Sequence, residues 1–329
     1  MTIELHVGAG QPYATRNAGI VAIAAMYGGA GWPAEPVDLV VHGTVDEGTT
    51  LNVTGFTPTL ANPFTIRGYS GRGYDRGIAR NAGIATAHTR FRDVTEEGAG
   101  DWQFLPTASA LSTTLRFSRV FFDQYIVEPY LESITGEILF EQCSQKKGGT
   151  EVGMFNLRGC TMSVGGLLVI RNCISQDGAI FTVRYNASVI DGGNILIDNN
   201  ETLANHLIDT SISGLTFTSG GLYIRNNIAK RASGLLVDFG ASVIVPTVMN
   251  KNRYSHQAGA FQVGGVTYNT IGDWRTAISG DADSTVGDPG IDANGRLLPS
   301  SACIGAGLDL HADSLNPFAN NYDGMARPS

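Results

Sequence analysis

The chain is poor in charge, in cysteine and in long apolar runs, and each shortage excludes a class of protein. Its 329 residues include 22 Lys and Arg against 30 Asp and Glu, a net charge of −8. The sequence has no dense basic cluster, and therefore no positive stripe that would neutralise phosphates, so we expect no nucleic-acid partner. No stretch of about 18 uninterrupted apolar residues occurs, and we therefore expect no membrane partner.

Signatures of metal sites and of catalytic nucleophiles are also missing. The four cysteines, Cys143, Cys160, Cys173 and Cys303, have no CxxC spacing. They are too few for a disulfide scaffold and wrongly spaced for zinc, so we predict buried free thiols. The six histidines have no HxxxH-type spacing, and no GxSxG nucleophile elbow occurs. We expect no metal and no cofactor, and we assign no catalytic residue.

Glycine is abundant, and a repeat of constant length runs through the middle of the chain. The segments 166–172, 193–199 and 220–226 align at equal intervals, each beginning with Gly and ending with Asn. Between these ends the apolar residues alternate with a period of two, which is typical of a strand with one buried face. The side chains predicted to face inward are Leu168, Ile170, Ile195, Ile197, Leu222 and Ile224.

A second strand recurs between these segments, at 154–157, 180–183, 207–210 and 235–238. Two strands per repeat at near-constant spacing indicate coils that bury their inner side chains by stacking on one another. A β-sandwich would instead show hairpin turns about every 8–12 residues, without a fixed repeat. We therefore predict an all-β fold, a parallel β-helix solenoid.

The asparagines that end the three aligned segments, Asn172, Asn199 and Asn226, would stack at one corner of the coils. Strands stack about 4.8 Å apart, a distance at which one side-chain amide can donate to the next. Asn also tolerates the left-handed backbone that a sharp corner needs. We predict a structural amide ladder at this corner, continued through Asn250 or Asn252.

Each open end of such a solenoid exposes its core and must be covered. The segment 12–26 is predicted to be an amphipathic helix, and we assign residues 1–38 to an N-terminal cap. Residues 39–260 would form the parallel β-helix. Beyond them the repeat fades, and a short helix near 273–278 with an irregular tail predicts a C-terminal cap over 261–329.

Three parts of the chain resemble right-handed parallel β-helix proteins of the pectin-lyase-like superfamily. Residues 7–15 resemble the entry of that fold, residues 62–68 a first-coil strand, and residues 301–309 with 322–324 its C-terminal ending. The superfamily contains polysaccharide lyases and hydrolases, bacteriophage tailspikes and fibres, and adhesins, so the fold alone does not decide function. No catalytic motif of the superfamily matches this chain residue by residue.

A column of alternating charge, Arg171, Asp198 and Arg225, is predicted on the outer face of three successive coils. Opposite charges that alternate along a stack favour a structural ion-pair ladder. The alternative is a carboxylate flanked by arginines that binds or cleaves carbohydrate.

An outward apolar stripe is predicted beside this charge column, from the same alternation. It consists of Val169, Leu196 and Tyr223. An exposed stripe of this kind favours self-association, and the resemblance to tailspikes implies a homotrimer.

Two glycine-rich loops, within 67–76 and 95–103, carry groups that suit a carbohydrate ligand. Arginine binds carboxylates bidentately, an aromatic ring offers a face to a sugar, and carboxylates accept from its hydroxyls. A glycosidase would further need two carboxylates about 5–9.5 Å apart. The alternative is ordinary solvated loops. The residues predicted to contact a glycan are Arg72, Tyr74, Arg76, Glu96, Glu97, Asp101 and Trp102.

An acidic stretch near the C-terminus carries oxygen ligands at spacings found in calcium loops. No Glu follows at the twelfth position, and Asp and Asn are also common turn residues, which favours turns over a metal site. The residues concerned are Asp281, Asp283, Asp288, Asp292, Asn294 and Gly295.

The favoured function is that of a virion structural protein: a spike, fibre or surface decoration that attaches to host cell-surface polysaccharide and contacts other virion proteins. The opening residues have no basic region followed by an apolar run, so we expect no signal peptide. This favours a virion over a secreted, extracellular location. The first alternative is a polysaccharide lyase or glycoside hydrolase on the same scaffold, with Lys230 and Arg231 as its basic cluster. The second is a purely architectural capsid or tail component.

Overall fold

The computed structural model describes residues 1–29, 31–46, 52–53, 56–69, 73–76, 81–84, 89–92, 94–97, 103–105, 110–112, 114–123, 133–146, 153–184, 186–292, 296–315 and 317. These residues are nearly all in strands and turns, with two short helices among them. In chain order the elements are β1 (Ile3–Gly8), α1 (Arg16–Tyr27), β2 (Val37–His42), β3 (Thr44–Asp46), β4 (Asn52–Val53), β5 (Phe64–Gly68), β6 (Gly73–Arg76), β7 (Asn81–Ile84), β8 (Thr89–Arg92), β9 (Val94–Glu97), β10 (Gln103–Leu105), β11 (Ala110–Leu111), β12 (Thr114–Ser118), β13 (Phe121–Asp123), β14 (Ser133–Ile134), β15 (Glu137–Glu141), β16 (Ser144–Lys146), β17 (Gly153–Leu157), β18 (Thr161–Ser163), β19 (Leu167–Arg171), β20 (Ile174–Ser175), β21 (Ala179–Val183), β22 (Ser188–Asp198), β23 (Glu201–Thr202), β24 (Ile208–Asp209), β25 (Leu215–Arg225), β26 (Ile228–Ala229), β27 (Val237–Asp238), β28 (Val248–Asn250), β29 (Arg253–Tyr254), β30 (Phe261–Val263), β31 (Val266–Tyr268), α2 (Ile271–Ile278) and β32 (Thr285–Val286).

The chain returns to the same sheets once in each coil. The first sheet runs β1-β2-β5-β8-β12-β15-β19-β22 and continues through β25 to β28, with β18, β14 and β11 joined along the first half of β22. The second sheet runs β3-β6-β9-β13-β16-β20-β23-β26-β29-β32. The third side is formed by β4-β7-β10 and, further along, by β17-β21-β24-β27-β30. Each strand pairs in parallel with the equivalent strand of the next coil, and this arrangement is a β-solenoid. The predicted fold class is therefore confirmed.

The sequence repeat brings equivalent residues into adjacent coils. Leu168 of β19 lies opposite Ile195 of β22, and Ile195 lies opposite Leu222 of β25. These side chains are 0–1% exposed, as predicted from their alternation. Burying one such side chain contributes about 1.5–3 kcal/mol, so the stacked interior is the main source of stability.

The corner that follows the first sheet uses left-handed backbone. Asn172, Asn199 and Asn226 have φ angles of 53°, 56° and 59°, which confirms the backbone conformation predicted for them. The equivalent positions on other coils also have positive φ; they are Arg119, Gln142 and Lys251. The corner is therefore a property of the stack, and asparagine is one of several residues that occupy it.

The amide ladder observed in the described residues lies one position after this corner, on Asn200, Asn227 and Asn252. The backbone N and the Nδ2 of Asn200 both donate to Asn227 Oδ1, at 2.9 and 3.1 Å. The same two groups of Asn227 donate to Asn252 Oδ1, each at 3.0 Å. These asparagines are buried, and a buried amide must be paired.

The position predicted for the ladder, at the corner itself, therefore needs correction. Asn226 is held by the C-terminal tail: its Nδ2 donates to Leu308 O at 3.0 Å, and its Oδ1 accepts from Leu308 N at 2.7 Å. The physical reason is that the following residue carries its amide into the core, where stacked amides satisfy one another.

Helices close both ends of the stack. The N-cap Thr15 of α1 accepts from Ala18 N at 3.1 Å, and Ile20 and Ile23 bury the inner face of this helix. At the other end, the buried Trp274 of α2 stacks on the ring of Phe261 with centroids 5.2 Å apart. Both helices lie close to their predicted segments. Strand pairing extends beyond the range 39–260, since β1 pairs with β2 and β29 with β32.

The cysteines are free, as predicted from their spacing. Cys143, Cys160 and Cys173 are buried in the core, and burial raises the pKa of the Cys160 thiol to about 12. Cys303 is only partly buried, in the C-terminal tail. The three core thiols behave as small apolar side chains.

The predicted outward apolar stripe is not exposed. Val169 and Leu196 have no accessible surface, and they form a small second core with Leu139. Leu315 of the tail packs against this cluster, which Tyr223 joins with a partly buried ring. An outward apolar column is thus buried by a distant part of the same chain. The stripe therefore lacks the exposed apolar surface that self-association through it would need.

Candidate functional site

Four of the predicted glycan contacts lie on neighbouring strands of the second sheet. Tyr74 and Arg76 belong to β6, and Glu96 and Glu97 to β9. The register places Arg76 beside Glu97 and Tyr74 beside Thr95, one coil apart. The backbones of Arg76 and Glu97 therefore lie about 4.8 Å apart. The other predicted contacts, Arg72, Asp101 and Trp102, lie outside the described residues.

A cluster of charged side chains lies on the outer face of the first sheet, on β1, β2 and β5. Arg67 of β5 donates through Nε to Asp38 Oδ2 at 2.6 Å, and through Nη2 to Glu4 Oε1 at 2.5 Å. Burial lowers the pKa of Arg67, but its two carboxylate partners outweigh this and the net pKa is raised. Three coils are thereby tied together by one guanidinium.

Beside these ion pairs lie three rings, which we call the ring cluster: His6, His42 and Tyr69. His6 Nδ1 and His42 Nε2 share a hydrogen bond of 2.7 Å. The Tyr69 ring stacks on His42 with centroids 4.0 Å apart and an interplanar angle of 23°. The Tyr69 side chain is 60% exposed, so the outer part of the stack is open to solvent.

The strands themselves determine the shape of the ring cluster. Residues at i and i+2 of a strand share one face, which puts Glu4 and His6 on the same side of β1. His42 ends β2, and the register places it beside Gly8. Tyr69 follows β5, and its backbone N donates to Val41 O at 2.9 Å, which holds the ring over His42.

The two imidazoles cannot both be charged without cost. One ring must donate and the other accept across the shared hydrogen bond, so at least one of them is neutral. Burial, and next the charge of His6, lower the pKa of His42. His6 Nε2 lies 3.5 Å from Glu4 Oε2.

This arrangement presents groups that suit a polar ring compound. An exposed aromatic face, imidazole nitrogens and a carboxylate within a few ångströms can stack on a sugar ring and exchange hydrogen bonds with its hydroxyls. Among the described residues no group of three His, Cys, Asp or Glu side chains could hold a metal ion.

Sequence reasoning overlooked the ring cluster, although one signal was present. His42 and Tyr69 are separated by the same interval as Gly166 and Gly193 of the central repeat, whereas the interval from His6 to His42 is longer. The first interval would have placed two rings in adjacent coils. The helix α1 between β1 and β2 lengthens the second interval and hides it.

The predicted charge column lies in the C-terminal half, under the tail. Arg225 binds Asp198 bidentately, Nε to Oδ1 at 2.9 Å and Nη2 to Oδ2 at 2.7 Å, and its Nη1 also donates to Asp313 of the tail. Arg171 Nε donates to Glu141 Oε1 at 2.9 Å. Burial lowers the pKa of Arg225, but the two carboxylates dominate and raise it. These charges are engaged within the fold.

The acidic residues considered for calcium serve as local hydrogen-bond acceptors. Asp281 is buried, and its Oδ2 accepts from the Tyr254 hydroxyl at 3.0 Å and from Trp274 Nε1 at 3.1 Å. Burial raises the pKa of Asp281. Asp288 and Asp292 accept from backbone N–H groups two and four residues on. Asn294 and Gly295 lie outside the described residues.

The basic pair proposed for a lyase has a structural contact as well. Arg231 Nη1 donates to Leu235 O at 2.9 Å and lies 3.2 Å from His206 Nε2. The guanidinium therefore supports the loop that follows β26. Lys230, beside it, is partly buried.

Comparisons of the chain with family models, with curated proteins and with solved structures find no match. In the part of the chain that the structure describes, neither helix has the length and apolar character needed to cross a membrane.

Proposed function

We propose that this protein is an attachment module that binds cell-surface polysaccharide with the outer face of its N-terminal coils. The observation that carries the proposal is the ring cluster, because Tyr69 offers an exposed ring beside imidazole nitrogens and the carboxylate of Glu4. Aromatic and hydrogen-bonding groups on a rigid surface are the usual means of holding a sugar.

The parallel solenoid suits this function. A stacked rod holds its surface groups in fixed positions, so little order has to be gained when a long polymer binds. Several copies on one particle would turn weak binding at single sites into firm attachment. The resemblance of residues 7–15 and 62–68 to pectin-lyase-like proteins favours a spike, fibre or surface decoration of a virion, with a homotrimer as the expected assembly.

A direct test is binding of the purified protein to an array of neutral and acidic bacterial surface polysaccharides, followed by biolayer interferometry on the glycans that bind. Replacing Tyr69 with Ala removes the exposed ring, and we expect binding at least tenfold weaker, equivalent to about 1.4 kcal/mol. The matched control is Leu60→Ala, which removes another exposed side chain in the same coil and should leave binding unchanged.

The same samples separate the alternative functions. Release of reducing ends would show that the protein is a hydrolase rather than an attachment module. Release of unsaturated products that absorb in the ultraviolet would show that it is a lyase. Neither binding nor product, across the array, would favour a purely architectural component. Equal binding by Tyr69→Ala and the unaltered protein would reject the ring cluster as the binding surface.

A further inference from the structure

A cleft lies at the opposite end of the solenoid, between the last hairpin and α2. It has a volume of about 450 Å³. The antiparallel pair β30–β31 forms one side, and α2 the other. Its volume falls in the range of sites for small molecules, about 300–1,000 Å³. The residues that line it are Thr267, Tyr268, Asn269, Asp273, Thr276 and Ala277.

The walls of the cleft are fixed by contacts behind them. Trp274, on the buried side of α2, stacks on Phe261 and donates to the buried Asp281. At the start of α2 the Thr270 hydroxyl donates to Asp273 Oδ2 at 2.7 Å and accepts from Asp273 N at 3.1 Å. The helix, and with it one wall, is therefore held in place before any ligand arrives.

Three of the residues that line the cleft keep unused hydrogen-bonding capacity. Asn269 Oδ1 accepts from Gly259 N at 2.9 Å, which leaves its Nδ2 to donate. Asp273 is engaged by Thr270 through Oδ2, which leaves Oδ1 to accept. The Thr276 hydroxyl donates to Gly272 O at 3.0 Å, and its lone pairs remain to accept. Tyr268 adds a half-buried ring, 6.2 Å from that of Trp274.

We propose that this cleft is a second ligand site and that it takes one neutral sugar ring of a polysaccharide. A ring face, a carboxylate, an amide and hydroxyls match the faces and hydroxyls of a hexose. The inference rests on the proposed function for the class of ligand, but its residues are separate from the ring cluster.

The charge around the cleft selects neutral over acidic sugars. Asp273 is the one ionisable carboxylate among the six lining residues, and no cation is among them. The neighbouring Arg275 is engaged elsewhere, since its Nε donates to Asp281 O at 3.0 Å and its Nη2 to Ser284 O. An acidic sugar would therefore meet a carboxylate without a compensating guanidinium.

The experiment is a nuclear magnetic resonance titration of the full chain with methyl glucoside, methyl mannoside and methyl galactoside, and with glucuronate as the acidic counterpart. We expect saturable shifts of the Asn269 and Thr276 amides with at least one neutral glycoside, at a Kd on the order of 1–10 mM. Glucuronate should bind at least tenfold more weakly. No shift with any neutral glycoside, or equal binding of glucuronate, would overturn the site.

Variants identify which groups carry the binding. Tyr268→Ala should weaken it at least tenfold, Tyr268→Phe should retain it because the ring remains, and Asp273→Asn should weaken it at least threefold. Leu298→Ala, an exposed side chain outside the cleft, is the matched control. Unchanged affinity in Tyr268→Ala and Asp273→Asn would reject the assignment, and the melting temperature of each variant shows whether it is folded.

The Tyr69→Ala variant separates this site from the ring cluster. Glycoside binding that survives Tyr69→Ala and is lost in Tyr268→Ala supports the cleft, even if polysaccharide attachment through the ring cluster fails. Binding lost in Tyr69→Ala and retained in Tyr268→Ala would leave the proposed function standing and overturn the cleft.

Discussion

The outer face of the first sheet differs between its two ends. In the N-terminal coils it carries the ring cluster and the Glu4–Arg67–Asp38 ion pairs, with Tyr69 open to solvent. In the C-terminal coils the same face is covered by the tail, which buries Leu196 and binds Arg225. One architecture thus provides an accessible surface at one end and a second core at the other.

This difference shows that a side chain can point away from the solenoid interior and still be buried. A strand directs alternate side chains to opposite faces, but whether a face is exposed to solvent depends on what packs on it. In the C-terminal coils the tail covers apolar outward residues, whereas in the N-terminal coils the outward ring of Tyr69 is exposed.

The largest expected effect is the loss of Arg225. In Arg225→Ala, the buried Asp198 loses its bidentate guanidinium and Asp313 loses its ion pair with Arg225. We expect the free energy of unfolding to fall by about 3–5 kcal/mol, measured by denaturant unfolding. Arg67→Ala is the matched variant in the open region, where water can solvate Glu4, and should cost roughly 1–2 kcal/mol. An equal decrease in the free energy of unfolding in the two variants would contradict the difference between the covered and the open end.

A smaller effect is expected for Leu196, which touches the tail rather than the solenoid interior. Leu196→Ala should destabilise by about 2–3 kcal/mol and expose the tail to proteolysis while the solenoid remains folded. Limited proteolysis with mass spectrometry measures where the chain is cleaved. Ile197→Ala, which alters the interior face of the same strand, is the comparison variant. Cleavage spread evenly over the chain in Leu196→Ala would argue against a separately attached tail.

The two ends of the solenoid are also expected to show opposite pH dependences. Burial, and next His6, lower the pKa of His42 below 6.5, so the unfolded chain binds more protons and stability falls as the pH drops below about 6.5. Burial, and next the charge of Asp292, raise the pKa of Glu201 from 4.5 to about 8. Here the folded chain binds more protons, and stability falls as the pH rises from 4.5 to about 8.

Thermal unfolding measured from pH 5 to pH 9 would separate the two pH dependences. His42→Asn should remove part of the loss on the acid side, and Glu201→Gln part of the loss on the basic side. A Glu201→Gln variant as sensitive to basic pH as the unaltered protein would show that Glu201 does not titrate in this range.

Much of the central fold could be predicted from the sequence because its information is local and periodic. Leu168, Ile195 and Leu222 follow from alternation and a fixed offset, and the structure places them in one buried column. The predicted amide ladder was displaced by one position, although Asn200 and Asn227 recur at the same offset as the asparagines before them. Adjacent asparagines carry the same period, and only the backbone at the corner decides which of them turns inward.

The candidate sites were less predictable because their residues are not joined by the local repeat. The ring cluster joins His6, His42 and Tyr69 across a helix that interrupts the repeat, and the cleft joins a hairpin to a helix in the part where the repeat has ended. The repeat interval from His42 to Tyr69 marks only part of the ring cluster, and no spacing marks the cleft. The register of distant strands brings their side chains together.

By itself the sequence determined the period, the inner face of each strand and the left-handed corner, because these depend on residues a few positions apart and on a repeat of constant length. Only the tertiary structure decided which outward residues are accessible, because a tail far along the chain from Arg225 packs on some coils and leaves others open. Long-range covering of this kind depends on the sum of many contacts, which no local pattern records.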